Sequence, residues 1–163
     1  MGTLKGITGG TFYNGTANVA VSSFRMMRYD VTRSMYNTVI GSDPSIASYS
    51  TGSSDPVQTV NWYNTLVFCN SLSISEGLTP VYKVGGSTNP AVWGAVPTTT
   101  NTTWDAVTMN MTANGYRLPT EAEYMWAAMG GLNDGSSGDT VGSINTGGYT
   151  KGCLLYTSDA ADE

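Results

Sequence analysis

The sequence has no histidine and few charged residues. Charged side chains make up 12% of its 163 residues, against about 25% in typical soluble domains. Without histidine, the chain can form neither a histidine-ligated metal site nor a Ser-His-Asp triad. Its seven lysines and arginines are scattered, which excludes the clustered basic surface that nucleic-acid binding requires.

Cysteine is nearly absent. The sequence has only Cys69 and Cys153, so it contains neither a disulfide framework nor a Cys-x-x-Cys metal motif. Cys69 lies in an apolar stretch of helical spacing. We therefore expect a buried thiol that behaves as a small hydrophobic side chain rather than a reactive one.

Long apolar runs are also missing. No stretch approaches the length of a membrane-spanning helix, and no signal peptide is visible at the start of the chain. The compartment stays unknown, although the composition is compatible with an exported bacterial protein. Hydrophobic residues still make up 40% of the chain, enough for the core of one domain.

Residues 153–163 are expected to be a non-native tail. One choice of codons for CLLYTSDAADE reads as the end of a transposon-type sequencing adapter, and such segments are excluded from fold reasoning. Three acidic residues lie in this tail, so the formal net charge of −5 falls to nearer −2 without it. We expect residues 1–152 to be a truncated domain of the metagenomic type, and poorly stable because core partners are missing.

Four segments have the pattern of β-strands. Residues 9–15 predict a short strand ending in an Asn-Gly turn, and alternating side chains predict one longer strand over residues 19–31. Residues 81–84 predict a strand that enters a Gly-Gly turn, and residues 107–111 predict a half-buried strand.

Two helices are predicted in the first half of the chain. The first begins at Asp30 or Thr32, either of which can cap a helix, and ends at Gly41. The second begins after Asn61 and ends at Gly77. Its apolar face is formed by Trp62, Leu66, Cys69 and Leu72.

Two stretches rich in small polar residues predict loops. Residues 42–54 form the first, and residues 87–103 form the second, with Trp93 turned inward. The aromatic and Asn-rich segment from Trp93 to Trp104 is a candidate for ligand recognition, although a plain insertion would have the same composition.

The strongest local signal is Gly115–Glu123. Thr120 and Glu123 have capping-box spacing, and Pro119 forces the preceding residue into an extended conformation. This predicts a sharp strand-to-helix corner, followed by a helix over residues 122–129 that stops at a Gly-Gly pair.

Residues 115–131 resemble the signature of the formylglycine-generating-enzyme family, also called the sulfatase-modifying-factor domain. Three upstream blocks resemble other conserved blocks of that family in the same order, namely residues 9–15, 24–36 and 56–82. The residues that we single out as the structural signature are Tyr116, Arg117, Leu118, Pro119, Thr120, Glu121, Glu123, Trp62 and Cys69.

The resemblance implies an α+β, C-type-lectin-like fold, here incomplete, with short strands, a few helices and much irregular loop. It also implies an activity, the oxidation of a sulfatase cysteine to formylglycine with oxygen and a copper held by two cysteines. Those cysteines and the calcium-binding segments lie in the family's later half, so no catalytic, cofactor or metal residue is carried over to this chain. Cys69 corresponds to the family's buried helix cysteine.

The signature also departs from the family's usual pattern. Tyr124 stands where the family has tryptophan, Met125 where it has glutamate, and Met129 where it has arginine. The lost charges suggest a divergent member whose catalytic status is in doubt.

Several side chains allow a functional interpretation beside a structural one. Arg117, Glu121 and Glu123 could suggest acid–base chemistry, but two carboxylates two positions apart on a first helical turn point to different faces. We expect helix capping and an ion pair that partly buries Arg117. Asp134 and Asp139 could ligate calcium, but they lack EF-hand spacing. Four aromatic residues could form a stacking platform, although core packing is favoured: Trp62, Phe68, Tyr124 and Trp126.

Three functions remain open. The parent protein is a copper-dependent oxidase with its reactive half outside this chain, or a non-catalytic binding or surface protein on the same scaffold with an unknown protein or small-ligand partner. The third function is that of a metal-dependent oxygenase branch that resembles this family. Such an enzyme would require histidine ligands, which the chain lacks, so this hypothesis ranks last of the three.

Overall fold

The computed structural model describes residues 4–14 and 16–128, which divide into two compact units. Of the described residues, the larger unit contains Tyr29–Leu118, and the smaller contains residues 4–28, apart from residue 15, together with residues 119–128. In chain order the elements are β1 Leu4–Ile7, β2 Gly10–Tyr13, β3 Asn18–Val21, β4 Phe24–Met27, α1 Arg33–Ile40, α2 Trp62–Ser75, β5 Tyr82–Lys83, a 3₁₀ turn Pro90–Val92, α3 Thr102–Asp105, β6 Thr108–Met109 and α4 Glu121–Ala128.

The smaller unit is built on two antiparallel strand pairs. β1 pairs with β4, and β2 pairs with β3. Its core consists of Phe12, Val21 and Trp126. The indole N–H of Trp126 donates to the Thr8 carbonyl at 2.8 Å, which ties α4 to the turn between β1 and β2.

The prediction of one strand over residues 19–31 is wrong. The chain there forms β3 and β4, which belong to different sheets. The break falls at Ser22 and Ser23, where the Ser23 hydroxyl accepts a hydrogen bond from the Gly9 N–H at 3.0 Å. The short strand predicted within residues 9–15 is confirmed as β2.

Helix α1 begins and ends where the sequence predicts. The Thr32 hydroxyl accepts a hydrogen bond from the Met35 N–H at 3.2 Å. Gly41 ends the helix with φ +85°, a left-handed conformation that glycine adopts without steric cost. The Tyr36 ring stacks on Phe68 of α2 with centroids 5.4 Å apart, so this contact packs the two helices together.

Helix α2 is the centre of the larger unit. Asn61 caps its first turn in a reciprocal capping box with Asn64. The predicted end is also confirmed, because Gly77 follows the helix with φ +69°. The main core cluster forms around this helix and contains Tyr63, Leu66, Cys69, Val81, Tyr82, Val84, Trp93 and Trp104.

The predicted strand and turn over residues 81–86 are confirmed as β5 and a turn closed by Val84 and Ser87. The strand predicted over residues 107–111 is confirmed in part, because β6 lies within it, but its predicted length and half-buried character are wrong. β6 has only two residues, both exposed, and of this segment Val107 is the residue that packs on the core. No strand directly precedes α4 in the described chain, so the predicted corner joins irregular backbone to a helix.

The predicted loops at residues 42–54 and 87–103 are confirmed, except that the second contains the 3₁₀ turn and the start of α3. Trp93 is buried as expected. The Gly-Gly helix stop, Met129, the two candidate calcium ligands and the expected tail lie outside the described residues. Among the described helices, none has the length and apolar character needed to cross a membrane.

Candidate functional site

The first part of the signature, residues 115–118, belongs to the larger unit and lies against α2. The Tyr116 N–H donates to the Ser73 hydroxyl at 2.8 Å, and that hydroxyl donates in turn to the Cys69 carbonyl at 2.7 Å. At its other end, the Tyr116 phenol donates to the Glu76 carboxylate at 2.6 Å. Backbone and side chain of Tyr116 are therefore both fixed to α2.

Gly115 allows this close approach. A Cβ atom at Gly115 would lie 2.7 Å from the Ser73 hydroxyl oxygen and would also overlap the Thr79 carbonyl oxygen. The Thr79 N–H is bound by the Asn114 side-chain oxygen at 2.8 Å. The first position of the signature thus requires a residue without a side chain, for steric rather than conformational reasons.

Ser73 and Asn70 are the two buried polar side chains of α2, and each forms hydrogen bonds to a neighbouring backbone segment. Asn70 is fully buried. Its amide nitrogen donates to the carbonyls of Tyr82 at 2.7 Å and Thr88 at 2.8 Å, and its oxygen accepts from the Tyr82 N–H at 3.1 Å. Because Tyr82 opens β5, Asn70 takes the place of a neighbouring strand along that edge.

Tyr82 in turn links β5 to the signature segment. Its hydroxyl accepts a hydrogen bond from the Leu118 N–H at 2.9 Å. Burial raises the pKa of the Tyr82 phenol, and the bond from Leu118 partly opposes that shift. The group therefore stays protonated and structural.

The remaining signature side chains have mixed placements. Arg117 is half-buried, as predicted, and donates to the Leu118 carbonyl at 3.0 Å. Its ion pair with Glu121 or Glu123 stays a prediction. Pro119 and Glu121 are exposed.

The predicted capping box is confirmed. The Thr120 N–H donates to the Glu123 carboxylate at 2.8 Å, and the Glu123 N–H donates to the Thr120 hydroxyl at 3.2 Å. These bonds satisfy two N–H groups that the first turn of α4 would otherwise leave unpaired.

Thr120→Ala is expected to lower the free energy of unfolding by about 1 kcal/mol, because it removes the hydroxyl that caps α4. Urea denaturation at 25 °C measures this. Thr16→Ala is the matched control, because Thr16 is also exposed and, in the part of the chain that the structure describes, it is hydrogen-bonded through its backbone N–H. Equal stabilities for the two variants would contradict the capping role.

The four aromatic residues considered as a platform divide into two pairs. Phe68 and Trp126 are buried, so the core interpretation is confirmed for them. It is wrong for Trp62 and Tyr124, which are 46% and 63% exposed. The helical spacing placed Trp62 on the apolar face, but at the first turn of α2 its ring lies against Tyr63 with centroids 5.5 Å apart and stays open to solvent.

The segment from Trp93 to Trp104 is fixed at both ends. The two indole rings meet edge to face with centroids 5.5 Å apart. Asn61 donates to the Pro97 carbonyl at 2.8 Å, and the Tyr63 hydroxyl, which donates to Asp105, accepts from the Asn101 N–H at 3.1 Å. Both bonding residues belong to the start of α2, which holds the segment against the core.

Cys69 is buried, as predicted, and burial raises the pKa of its thiol to about 12. Copper and other soft metals bind the thiolate. The described residues contain no group of three or more His, Cys, Asp or Glu side chains placed to hold a metal.

In a Cys153→Ser background, we expect Cys69 to react with a disulfide reagent at pH 8 at least roughly 100-fold more slowly in the folded protein than in urea, because the folded thiol is neutral and shielded. The folded rate should rise only as the pH approaches the raised pKa. A rate close to that in urea would show that Cys69 is accessible and contradict the buried placement.

One open groove lies on the larger unit. It has a volume of 390 Å³ and is lined without charged side chains by Val39, Ile40, Val67, Ser71, Ile74, Ser75, Asn89, Pro90 and Ala91. It is formed by the end of α1, one face of α2 and the 3₁₀ turn. No signature residue lines it, and the sequence patterns did not predict it because its walls come from three separate elements.

The described elements define an α+β protein with the C-type-lectin-like fold of formylglycine-generating enzymes, as predicted. The family described as "Sulfatase-modifying factor enzyme 1-like domain" matches residues 4–143. The chain belongs to this family, and it corresponds to the N-terminal portion of the domain.

Three individual proteins are similar to the chain. "Chaperone protein LppX" of Paenibacillus barcinonensis is 40% identical over 114 residues, which are 70% of this chain and 39% of that protein. The solved structure of Treponema denticola variable protein 1 has a TM-score of 0.67 and 34% identity, covering 80% of this chain and 54% of that one. The crystal structure of CarF has a TM-score of 0.65 and 27% identity, covering 83% and 60%. The chain thus spans between 39% and 60% of the length of these relatives.

Proposed function

We propose that this portion of the domain belongs to a non-catalytic module that binds other protein chains. The observation that carries the proposal is the 40% identity, over 70% of the chain, to a protein named as a chaperone. Chaperones that hold unfolded chains act by binding polypeptide. Family membership alone does not decide between catalysis and binding, because one fold hosts many functions.

The geometry of the signature supports a binding module. The Ser73 hydroxyl, the Asn70 amide and the Tyr82 hydroxyl all bind the protein's own backbone. Within residues 4–14 and 16–128, the exposed large apolar side chains are Tyr29, Ile46, Tyr49, Trp62, Ile74, Val92, Met109, Met111 and Tyr124. Of these, Ile46 and Tyr49 lie in one turn, and neighbouring exposed apolar side chains suit apolar segments of another chain.

A second candidate is the copper-dependent oxidase that converts a protein cysteine to formylglycine, and the description of the matched family favours it. Two copper-binding cysteines would then have to come from outside the described residues. When bound, the copper would supply the oxygen chemistry. Within the described part, the residues would do no more than build the scaffold.

The test uses reduced, carboxymethylated α-lactalbumin, a chain that cannot refold. We expect saturable binding to the present chain in the micromolar range by fluorescence anisotropy, and none to native, calcium-loaded α-lactalbumin. Absence of binding to the unfolded probe would contradict the proposal.

A parallel reaction of the full-length parent protein with copper(I), oxygen and a cysteine-containing sulfatase peptide tests the second candidate, because only the full-length protein would contain the two copper-binding cysteines. Our proposal predicts no aldehyde product by mass spectrometry. Formation of formylglycine would instead establish the oxidase and overturn the non-catalytic proposal.

A further inference from the structure

The loop between α1 and α2 exposes two large side chains at its far end. Tyr49 is 75% exposed and Ile46 is 44% exposed. The Tyr49 N–H donates to the Ile46 carbonyl at 3.0 Å, so a tight turn presents both side chains. We refer to residues 46–49 as the loop tip.

Arg33 fixes one side of this loop. Its side chain is 14% exposed, and its Nε lies 2.8 Å from the Asp43 carboxylate. A terminal guanidinium nitrogen donates to the Ser50 carbonyl at 2.5 Å. One nearly buried guanidinium therefore binds the chain both before and after the loop tip.

Gln58 fixes the loop from the other side. Its side-chain nitrogen donates to the Ile46 carbonyl at 2.8 Å, and its backbone N–H donates to the Ser45 hydroxyl at 3.2 Å. After the tip, the Asp55 carboxylate accepts a hydrogen bond from the Gly52 N–H at 2.9 Å and so holds the turn at residues 52–55. The conformation of the tip is thus set by bonds from elements on either side of it.

The loop tip carries no charge of its own. Residues 44–50 contain no ionisable acid or base other than Tyr49. Hydrogen bonds from Ser45, and after them Arg33, hold the pKa of the Asp43 carboxyl below its ordinary value. The carboxylate beside the tip is paired with Arg33, so the surface offered to a partner is neutral.

We infer that the loop tip is a contact point for an extended apolar segment of a non-native partner chain, an inference that rests on the proposed function. A tyrosine supplies a large amphipathic contact area at little entropic cost. A loop that is already ordered loses little further freedom on binding, so more of the contact energy appears as affinity. A neutral apolar tip suits an uncharged apolar segment rather than a nucleic acid, whose binding requires cationic groups.

The test compares tyrosines of similar exposure in different places. Tyr49→Ser and the matched control Tyr124→Ser, whose tyrosine lies on α4, are titrated with reduced, carboxymethylated α-lactalbumin. We expect at least about tenfold weaker binding for Tyr49→Ser and an unchanged Kd for Tyr124→Ser. Ile46→Ser should weaken binding in the same direction, and circular dichroism confirms that each variant is folded.

Asp43→Asn tests whether the ordered conformation of the loop, and not only the Tyr49 side chain, contributes to binding. It leaves Tyr49 in place but removes the charge that holds Arg33, so binding should weaken by a few fold. The inference is overturned if the wild-type chain binds the probe and Tyr49→Ser binds equally well, or if Tyr124→Ser weakens binding as much. No binding by the wild-type chain would instead refute the proposed function, and the inference with it.

Discussion

Gly115→Ala is expected to lower the free energy of unfolding by about 3 kcal/mol. The new methyl group would lie 2.7 Å from the Ser73 hydroxyl and would overlap the Thr79 carbonyl. A backbone carbonyl cannot rotate away as a flexible side chain can, so the signature segment must move off α2. The Tyr116–Ser73 hydrogen bond would be lost with that movement. Urea denaturation followed by tryptophan fluorescence measures the change.

Gly6→Ala is the matched control for this substitution. A Cβ atom at Gly6 has no heavy atom within 4 Å, and Gly6 lies in the strand β1. Alanine there should leave the stability unchanged or raise it slightly, because glycine is unfavourable inside a strand. Similar effects of the two substitutions would contradict the close approach described at Gly115.

Asn70→Ala is the second substitution with a large expected effect, a loss of about 3 kcal/mol. It removes three hydrogen bonds at once and leaves the buried N–H and carbonyl of Tyr82 without partners. The start of β5 would then lose the side chain that replaces a neighbouring strand. Thermal and urea unfolding both measure this loss.

Asn37→Ala is the matched control, because it makes the same replacement of asparagine by alanine on the exposed face of α1. Alanine is the better helix former, so this variant should be as stable as the wild type or slightly more so. An Asn70→Ala protein as stable as Asn37→Ala would show that water replaces the amide bonds and would refute the account of β5.

Local signals in the sequence predicted the ends of helices correctly. Thr32, Asn61 and Thr120 each cap a helix, and Gly41 and Gly77 each end one. Each of these depends on bonds or backbone angles within one turn, which neighbouring residues determine. The burial of Cys69 followed in the same way from its apolar surroundings.

Features that depend on distant parts of the chain were not predicted. The alternating pattern of residues 19–31 is compatible with one long strand, and only the separate partners β1 and β2 divide it. Helical spacing placed Trp62 on the apolar face of α2. The spacing does not show how far along the helix other parts of the chain cover that face.

The roles of Asn70 and Ser73 were also missed, although the sequence held a signal. Both are polar residues inside an otherwise apolar stretch of α2, flanked by Phe68, Cys69 and Leu72. A polar side chain in such a position is expected to bind a backbone segment that crosses the helix. Which segment it binds depends on tertiary structure, and here the segments are β5 and the signature.

Hydrogen exchange at the Tyr116 amide tests most directly whether the start of the family signature, residues 115–118, is part of the folded core of the larger unit. The Tyr116 N–H donates to the buried Ser73 hydroxyl, so we predict protection close to that of the Leu72 amide in α2. Ser73→Ala should remove the protection at Tyr116 while α2 stays protected. Exchange at Tyr116 as fast as in an unfolded chain, with α2 still protected in the wild type, would contradict the account.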